Sequence, residues 1–329
     1  MAVDVQLSHQ LRKAGTMKVF ADYALLFVLS CSLSTTMLAQ GQVETQQRVE
    51  ISFAGRLAGK PFACGSQYEG VGIKKSTVTP QDLRFFVSDV ELLDANGKAA
   101  SVSLDQDGIW QYKNVALIDL EDGKGGCRNG NAAMHAAVTG NVAAGQYTGV
   151  RFTVGVPFEL DHISPLSAPS PLNMTAMFWS WQGGYKFIRA EVALVPKPGE
   201  ATEPPIDAAP SSHPEAPGDR AMRSSGFPVH LGSTGCASAS KTTGPAEECK
   251  NPNRVLVNLP AFNPAKDVVI FDVGRLLAGS DVTTNTPNTA PGCMSGENDP
   301  DCIPIMRALG LPFGNVLASE QAVFYRETK

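Results

Sequence analysis

Apolar and polar residues alternate along most of this chain, which is the pattern of a β-strand with one buried face. In RVEISFAG, Val49, Ile51 and Phe53 alternate with polar or small neighbours, and DLRFFVSDVELL runs into an Asn-Gly turn. Because a period of two places successive side chains on opposite faces, these stretches predict strands and not helices. Further strands are predicted in GIWQYKNVALIDL, YTGVRFTVGV, GYKFIRAEVALV, GFPVHLGS and RVLVNL.

Short strands separated by Gly, Pro, Asn and Asp predict an all-β fold, an antiparallel β-sandwich or barrel with long loops and few short helices. We expect residues 40–329 to form a single domain. Residues 196–220 contain many prolines and almost no large apolar side chain, so they cannot bury enough surface to order themselves. Strands of similar character lie on both sides, which predicts a flexible loop within the domain and not a domain boundary.

The N-terminal residues have the layout of a secretory signal peptide. Lys13 and Lys18 precede the short apolar run 24–29, and the small residue Ala39 follows. The apolar run is too short for a stable membrane anchor. We therefore expect residues 1–39 to be removed and the mature chain to reach the periplasm or cell surface without membrane insertion. In the alternative, Cys31 would carry a lipid and make the chain a lipoprotein.

Six cysteines remain beyond residue 39, and an even number in an exported chain predicts three disulfides. Proximity along the chain favours Cys236 with Cys249 and Cys293 with Cys302, which leaves Cys64 with Cys127. A thiolate metal site is the weaker alternative because the chain has no Cys-x-x-Cys pair. The net charge of −5 and the absence of a long basic run argue against nucleic acid or an anionic membrane as the main partner.

The stretch MFWSWQGGYKF, residues 177–187, contains two of the three tryptophans of the chain. On a strand, Met177, Trp179 and Trp181 would share one face. Two glycines follow, which predicts a bend or a close backbone approach beside the tryptophans. The aromatic pair could serve as a core cluster, as a stacking platform for sugar rings or bases, or as part of another kind of site.

No hydrolase elbow, His-Glu-x-x-His motif or phosphate-binding loop is present, so the sequence does not indicate a self-contained enzyme and we name no catalytic residue. The scattered carboxylates are expected on solvated faces and at hairpin ends. Those carboxylates include Asp82, Asp89, Asp119 and Glu121.

Several motifs together resemble one family. SPLNMTAMFWSWQGGYKFIRAE, residues 170–191, occurs with DLRFFVSDVELL, IWQYKNVALIDLEDGKGGC, FPVHLGSTGC and PGCMSGENDPDC, in an order that spans the mature chain. This set resembles the MbnP-like family with a W-x-W motif, also called the metallo-mystery-pair four-Cys proteins. The resemblance implies an exported copper-binding protein paired with an MbnH-like dihaem c-type cytochrome peroxidase similar to MauG. That partner would oxidise one tryptophan to kynurenine, which binds copper together with two histidines.

The resemblance points to particular residues. An intact indole N–H only donates, whereas the opened ring of kynurenine offers an amine and a ketone with lone pairs. Either Trp179 or Trp181 could be the modified residue, and the sequence does not distinguish them. The chain would be a substrate of the haem enzyme and act in copper acquisition or homeostasis. The alternative is a carbohydrate-binding module that uses both tryptophans as a stacking platform.

Histidine suits copper, and four histidines lie beyond residue 39. His162 in FELDHISPL and His230 in FPVHLGSTGC lie in rigid, family-like motifs and are the expected ligands. His135 in NAAMHAAVTG is a weaker candidate. His213 lies in the proline-rich loop, where fixing a mobile imidazole costs too much entropy for a tight ligand.

Overall fold

The computed structural model describes residues 45–127, 130, 132–180, 182–196 and 226–329. The predicted signal peptide, Cys31, Trp181, His213 and nearly all of the predicted proline-rich loop lie outside the described residues. No helix in the described part of the chain is long and apolar enough to cross a membrane.

The described residues form mostly β-structure, as predicted. The strands in chain order are β1 (Gln46–Leu57), β2 (Lys60–Pro61), β3 (Tyr68–Val71), β4 (Ser76–Leu93), β5 (Ala99–Ser101), β6 (Ser103–Leu104), β7 (Gln111–Tyr112), β8 (Val115–Asp119), β9 (Ala137–Ala143), β10 (Gly149–Val154), β11 (Phe178–Ser180), β12 (Gly184–Tyr185), β13 (Ile188–Leu194), β14 (Gly226–Leu231), β15 (Val255–Leu259), β16 (Asp267–Asp272) and β17 (Phe324–Thr328).

Helices in the described part of the chain are few and short. They are α1 (Phe158–Asp161), α2 (Val273–Leu277) and α3 (Cys302–Ala308), with a 3₁₀ turn at Thr175–Met177. The longest, α3, begins at a disulfide cysteine, and α2 is capped by the Asp272 carboxylate, which accepts from the Arg275 N–H at 3.0 Å.

Two open sheets make up the body of the fold. The first has the order β17-β16-β1-β9-β6, with β2 beside β1. The second has the main order β14-β13-β4-β10-β15, with β3, β5, β7 and β8 attached around β4. Pairing is antiparallel, as predicted, except between β1 and β16, which run parallel. A separate hairpin joins β11 to β12.

An aromatic cluster fills the space between the two sheets. Phe85 on β4 makes edge contacts with Phe53 on β1 and Phe271 on β16, at centroid distances of 5.8 and 5.1 Å. Phe152 on β10 contacts Phe53 and Phe324 in the same way. All five rings are buried. The two sheets therefore pack face to face around one core, which confirms the β-sandwich.

Three disulfides join the predicted pairs. They are Cys64–Cys127, Cys236–Cys249 and Cys293–Cys302. The first connects the loop after β2 to the loop after β8, and the other two close short loops that follow β14 and precede α3.

The outer face of the second sheet is also covered. Arg84 alternates with the inward-facing Phe85 on β4, and its Nη1 donates to the sulfur of Met174 at 3.4 Å. Phe86, one residue further along a bulged strand, makes an edge contact with Tyr185 at 5.7 Å. The segment that carries the W-x-W motif therefore packs against this sheet and buries its polar side chains.

Candidate metal centre

The W-x-W segment forms a tight hairpin. β11 and β12 pair Phe178 with Tyr185 and Ser180 with Gly184. Gly184 has φ +71°, and a Cβ on it would lie 2.4 Å from Oδ1 of Asp161. This position needs glycine both for its backbone conformation and for the close approach. The predicted bend beside the tryptophans is confirmed.

The predicted strand is shorter than its alternation suggested. Met177 belongs to the 3₁₀ turn and not to β11, so the expectation that it shares a strand face with Trp179 is wrong. The turn places the Ala176 carbonyl where Lys186 Nζ donates to it at 3.0 Å and Arg189 Nη1 at 3.2 Å. Two cationic donors from the neighbouring strand region thus hold the backbone in a turn at this point.

Trp179 packs on the strand that carries one of the predicted histidines. Its side chain is half-buried. A Cβ on Gly232 would lie 2.5 Å from Cζ3 and 3.0 Å from Cη2 of the indole, so the six-membered ring rests against that glycine. Gly232 directly follows β14 and is two residues beyond His230. Alternation then places His230 on the same face of the strand as Trp179.

His162 follows α1 directly and lies against a disulfide. Its Nε2 is 3.7 Å from Sγ of Cys249 and 3.5 Å from Oδ2 of Asp161, and its side chain is 7% exposed. His162, Cys236 and Cys249 place potential donor atoms within 4.8 Å of one another. Both sulfurs are bonded to each other, so they are not thiolates, and this grouping is a packing contact of the histidine.

Asp161 connects His162 to the hairpin and to the end of β14. Its carboxylate accepts from the backbone N–H of Tyr185 at 2.8 Å and from the Ser233 hydroxyl at 3.0 Å. Burial raises the pKa of Asp161 to about 7, against the opposing effects of the Tyr185 hydrogen bond and the Arg254 charge. The sequence neighbours of both histidines therefore contact the same hairpin: Asp161, next to His162, at Tyr185, and Gly232, two residues after His230, at Trp179.

His230 is held by a carboxylate. Its Nε2 lies 2.6 Å from Oε1 of Glu191, and both residues are buried. Burial, assisted by the Lys186 charge, lowers the pKa of His230 to about 4, against the effect of Glu191. Burial alone would raise the pKa of Glu191, but the His230 hydrogen bond and the nearby Arg189 lower it below its usual range. The lowered pKa of both partners favours a neutral imidazole beside a carboxylate.

The carboxylates expected on solvated faces are mostly buried, so that expectation is wrong for Asp82, Asp119 and Glu121. Asp89 alone of the four is exposed. Asp82 accepts from Arg84 Nε at 2.8 Å and lies 3.0 Å from Arg189 Nε. Asp82 and these two arginines are buried because Met174 and Ala176, just before the hairpin, cover this sheet face, a tertiary contact that strand alternation does not reveal. Asp119 lies against His135 instead.

His135 lies on the second sheet, beside the end of β8. It forms an isolated bridge with Asp119, its Nδ1 is 2.7 Å from the Leu117 carbonyl, and its ring stacks on Trp110 at 5.1 Å with an interplanar angle of 1°. Burial lowers the pKa of His135. Among the described residues, no hydrogen bond or ring contact joins His135 to the W-x-W hairpin.

The sequence profile of the MbnP family matches residues 46–295. The chain belongs to the MbnP family. It is similar to the solved structure of MbnP from Methylosinus trichosporium, with 30% sequence identity, a TM-score of 0.71, and coverage of 86% of this chain and 99% of that one. No curated protein matches it. In this MbnP protein, Trp179 lies on the hairpin of β11 and β12, which contacts Asp161 and Gly232.

Proposed function

We propose that this MbnP protein is exported and binds copper through His162, His230 and a kynurenine formed from Trp179 or Trp181. An MbnH-like dihaem c-type cytochrome peroxidase would carry out the oxidation, and the chain would serve copper acquisition or homeostasis. The observation that carries the proposal is the packing of Trp179 on Gly232, two residues from His230. The disulfides fit an exported protein.

The position of the indole suits its conversion into a ligand. The contact with Gly232 is made by Cζ3 and Cη2, which belong to the six-membered ring. Kynurenine formation cleaves the bond between Cγ and Cδ1 in the five-membered ring and leaves the six-membered ring intact. The packing contact would survive the reaction, so the new aryl amine would form on a ring that is already fixed in place.

The histidines fit the same chemistry. His230 is neutral near pH 7 because its pKa is lowered to about 4, so it keeps a lone pair for a metal without releasing a proton. Imidazole nitrogens and an aryl amine form a nitrogen-rich set that suits copper. In this role the chain is the substrate of a haem enzyme and the carrier of copper, and not itself a catalyst.

A half-buried Trp179 does not favour the carbohydrate-binding alternative, which requires exposed indoles to stack on sugar rings. The peroxidase would instead meet the surface near the hairpin, in a transient contact of modest area.

Substitution of single histidines tests the proposal. His162→Asn, His230→Asn and the control His135→Asn are produced in cells that express the haem partner, and kynurenine is verified in each by peptide mass. We expect the first two variants to lose tight copper binding in a competition titration, while the control binds copper like the wild type. Undiminished copper binding by His162→Asn and His230→Asn would refute the ligand set.

A further inference from the structure

The hydrogen bond between His230 and Glu191 decides which imidazole nitrogen carries the proton. A carboxylate only accepts hydrogen bonds, so the nitrogen 2.6 Å from Oε1 of Glu191, which is Nε2, must be the N–H donor. Nδ1 then holds the lone pair of the neutral ring. Among the described residues, none donates a hydrogen bond to Nδ1, although the side chain is only 9% exposed.

Glu191 is itself held in place. Arg189 Nε donates to Oε1 of Glu191 at 2.6 Å and lies 3.0 Å from Oδ2 of Asp82. Arg189 is directly opposite His230 in the register of β13 and β14, so Glu191, two residues further along, is a diagonal neighbour of the histidine on the same face. Rotation of the Glu191 carboxylate away from His230 would break a buried ion pair, which is strongly unfavourable.

The same cation also holds the segment that leads to the tryptophans. Arg189 Nη1 donates to the Ala176 carbonyl at 3.2 Å, and Lys186 Nζ donates to the same oxygen at 3.0 Å. Ala176 is three residues before Trp179. One connected set of buried charges therefore positions the imidazole of His230 and the entry to the W-x-W hairpin.

We propose that Glu191 is a positioning residue that fixes His230 as the Nε2–H tautomer and thereby makes Nδ1 the atom that binds copper. This inference rests on the proposed copper function of the same site. Partners of this kind orient metal-binding imidazoles and raise their basicity, and their loss costs about 10- to 100-fold in metal affinity. Arg189 supports Glu191 in this role by pairing with its carboxylate.

The tautomer can be measured on the wild-type protein without copper or kynurenine. Nitrogen-15 NMR of the imidazole, through couplings to the ring carbon-bound protons, shows which nitrogen is protonated. We expect His230 to be a single Nε2–H tautomer at neutral pH. A protonated Nδ1 would overturn the proposal whatever the copper content of the protein.

Glu191→Gln tests the consequence for copper. The amide has the same shape but can both donate and accept, so it no longer imposes one tautomer. We expect mixed tautomers for His230 and a drop of about 10- to 100-fold in copper affinity in folded, kynurenine-bearing protein. The control is Glu91→Gln, which removes a carboxylate paired with Arg151 at 2.8 Å elsewhere on the second sheet and should change neither quantity.

The outcomes separate the two proposals. If Glu191→Gln keeps both the single tautomer and wild-type affinity, Glu191 does not position His230. If the wild-type protein binds no copper although it carries kynurenine, the copper function fails, and the tautomer measurement still decides the role of Glu191.

Discussion

The indole of Trp179 rests on Gly232, where an added Cβ would lie 2.5 Å from Cζ3 of the ring and 2.7 Å from the Tyr185 carbonyl oxygen. A side chain at this position would have to displace either the aromatic ring or the backbone of β12. Glycine here is therefore needed for a close approach between the strand that carries His230 and the hairpin that carries the tryptophan.

Gly232→Ala is expected to displace Trp179 while the chain still folds. Overpacking should lower the free energy of unfolding by about 1 to 3 kcal/mol in a denaturant titration. Kynurenine formation and copper binding should fall with it, because the ring loses its fixed position.

Gly183→Ala is the matched control for that prediction. Its Cβ would lie 3.4 Å from Ser180 Oγ and 3.6 Å from Trp179 Cβ, which is ordinary van der Waals contact beside the same tryptophan. Stability and copper binding should stay close to wild type. Equal effects of the two substitutions would contradict a specific role for the contact with Gly232.

Removing two different disulfides should affect the stability of the chain and its copper affinity in different orders. Replacing Cys236 and Cys249 by Ala opens a loop of sequence separation 13 and, by the chain-entropy relation, should cost about 3 kcal/mol of unfolding free energy. Replacing Cys64 and Cys127 opens a separation of 63 and should cost about 4 kcal/mol.

Copper affinity should fall more in the variant without Cys236–Cys249 than in the variant without Cys64–Cys127, which is the opposite order to the loss of stability. Cys249 lies against His162, and the Cys236 carbonyl accepts from the Gln182 side chain at 3.1 Å, so loss of this disulfide loosens both sides of the hairpin. Thermal melts and copper titrations of the two double variants measure both effects. A weaker copper site in the variant without Cys64–Cys127 than in the one without Cys236–Cys249 would contradict the proposed location.

The raised pKa of Asp119 should make its contribution to the stability of the folded chain fall as pH rises. Burial, together with the Glu121 charge and against the Arg84 charge, raises the pKa of Asp119 from 3.8 to about 7. Between these values the folded chain binds more protons than the unfolded chain at this group, so its contribution to stability falls as pH rises. Asp119→Asn removes that loss, because the amide stays neutral.

The stability of Asp119→Asn relative to wild type should therefore increase from pH 4 to pH 8 in urea titrations. Asp107→Asn serves as a comparison, because its stability relative to wild type should change with pH in the opposite direction. Burial would raise the pKa of Asp107, but N–H donors from Ile109, Gln111 and Trp110 outweigh it and lower the pKa. That variant should lose stability relative to wild type as pH rises from below 4. A difference that does not change with pH would show that folding does not raise the pKa of Asp119.

Local patterns predicted much of the fold. Alternation located β1, β4, β8, β10, β13, β14 and β15 but did not reveal β3 or β9. Proximity along the chain was enough to pair all six cysteines, because two of the disulfides close short loops. The parallel pairing of β1 with β16 was not predicted, since these strands are about two hundred residues apart in sequence and no local signal specifies their register.

The surroundings of the candidate site were harder to predict. Asp82 and Arg84 on β4, and Arg189 and Glu191 on β13, alternate charge with apolar residues, which resembles a solvated strand face. They are buried because a segment from another part of the chain covers them. The one local signal was the opposite-charge pair two residues apart on each of these two strands, which indicates ion pairing on a shared face.

The candidate histidine ligands were chosen from the sequence motifs in which they lie. In the structure, sequence neighbours of His162 and His230 contact the hairpin, and His135 stacks on Trp110, while the assignment of ligands stays a prediction. Trp181 lies outside the described residues, so the choice between the two tryptophans also stays open to measurement.

Mass spectrometry on protein from its native host tests the central claim most directly. Peptides containing residues 177–187 are examined for the change from tryptophan to kynurenine, a loss of one carbon and a gain of one oxygen, with copper quantified in the same sample. We predict one modified tryptophan, at Trp179 or Trp181, and one copper ion per modified chain. Two intact tryptophans and no copper, in cells that express the haem partner, would contradict the account.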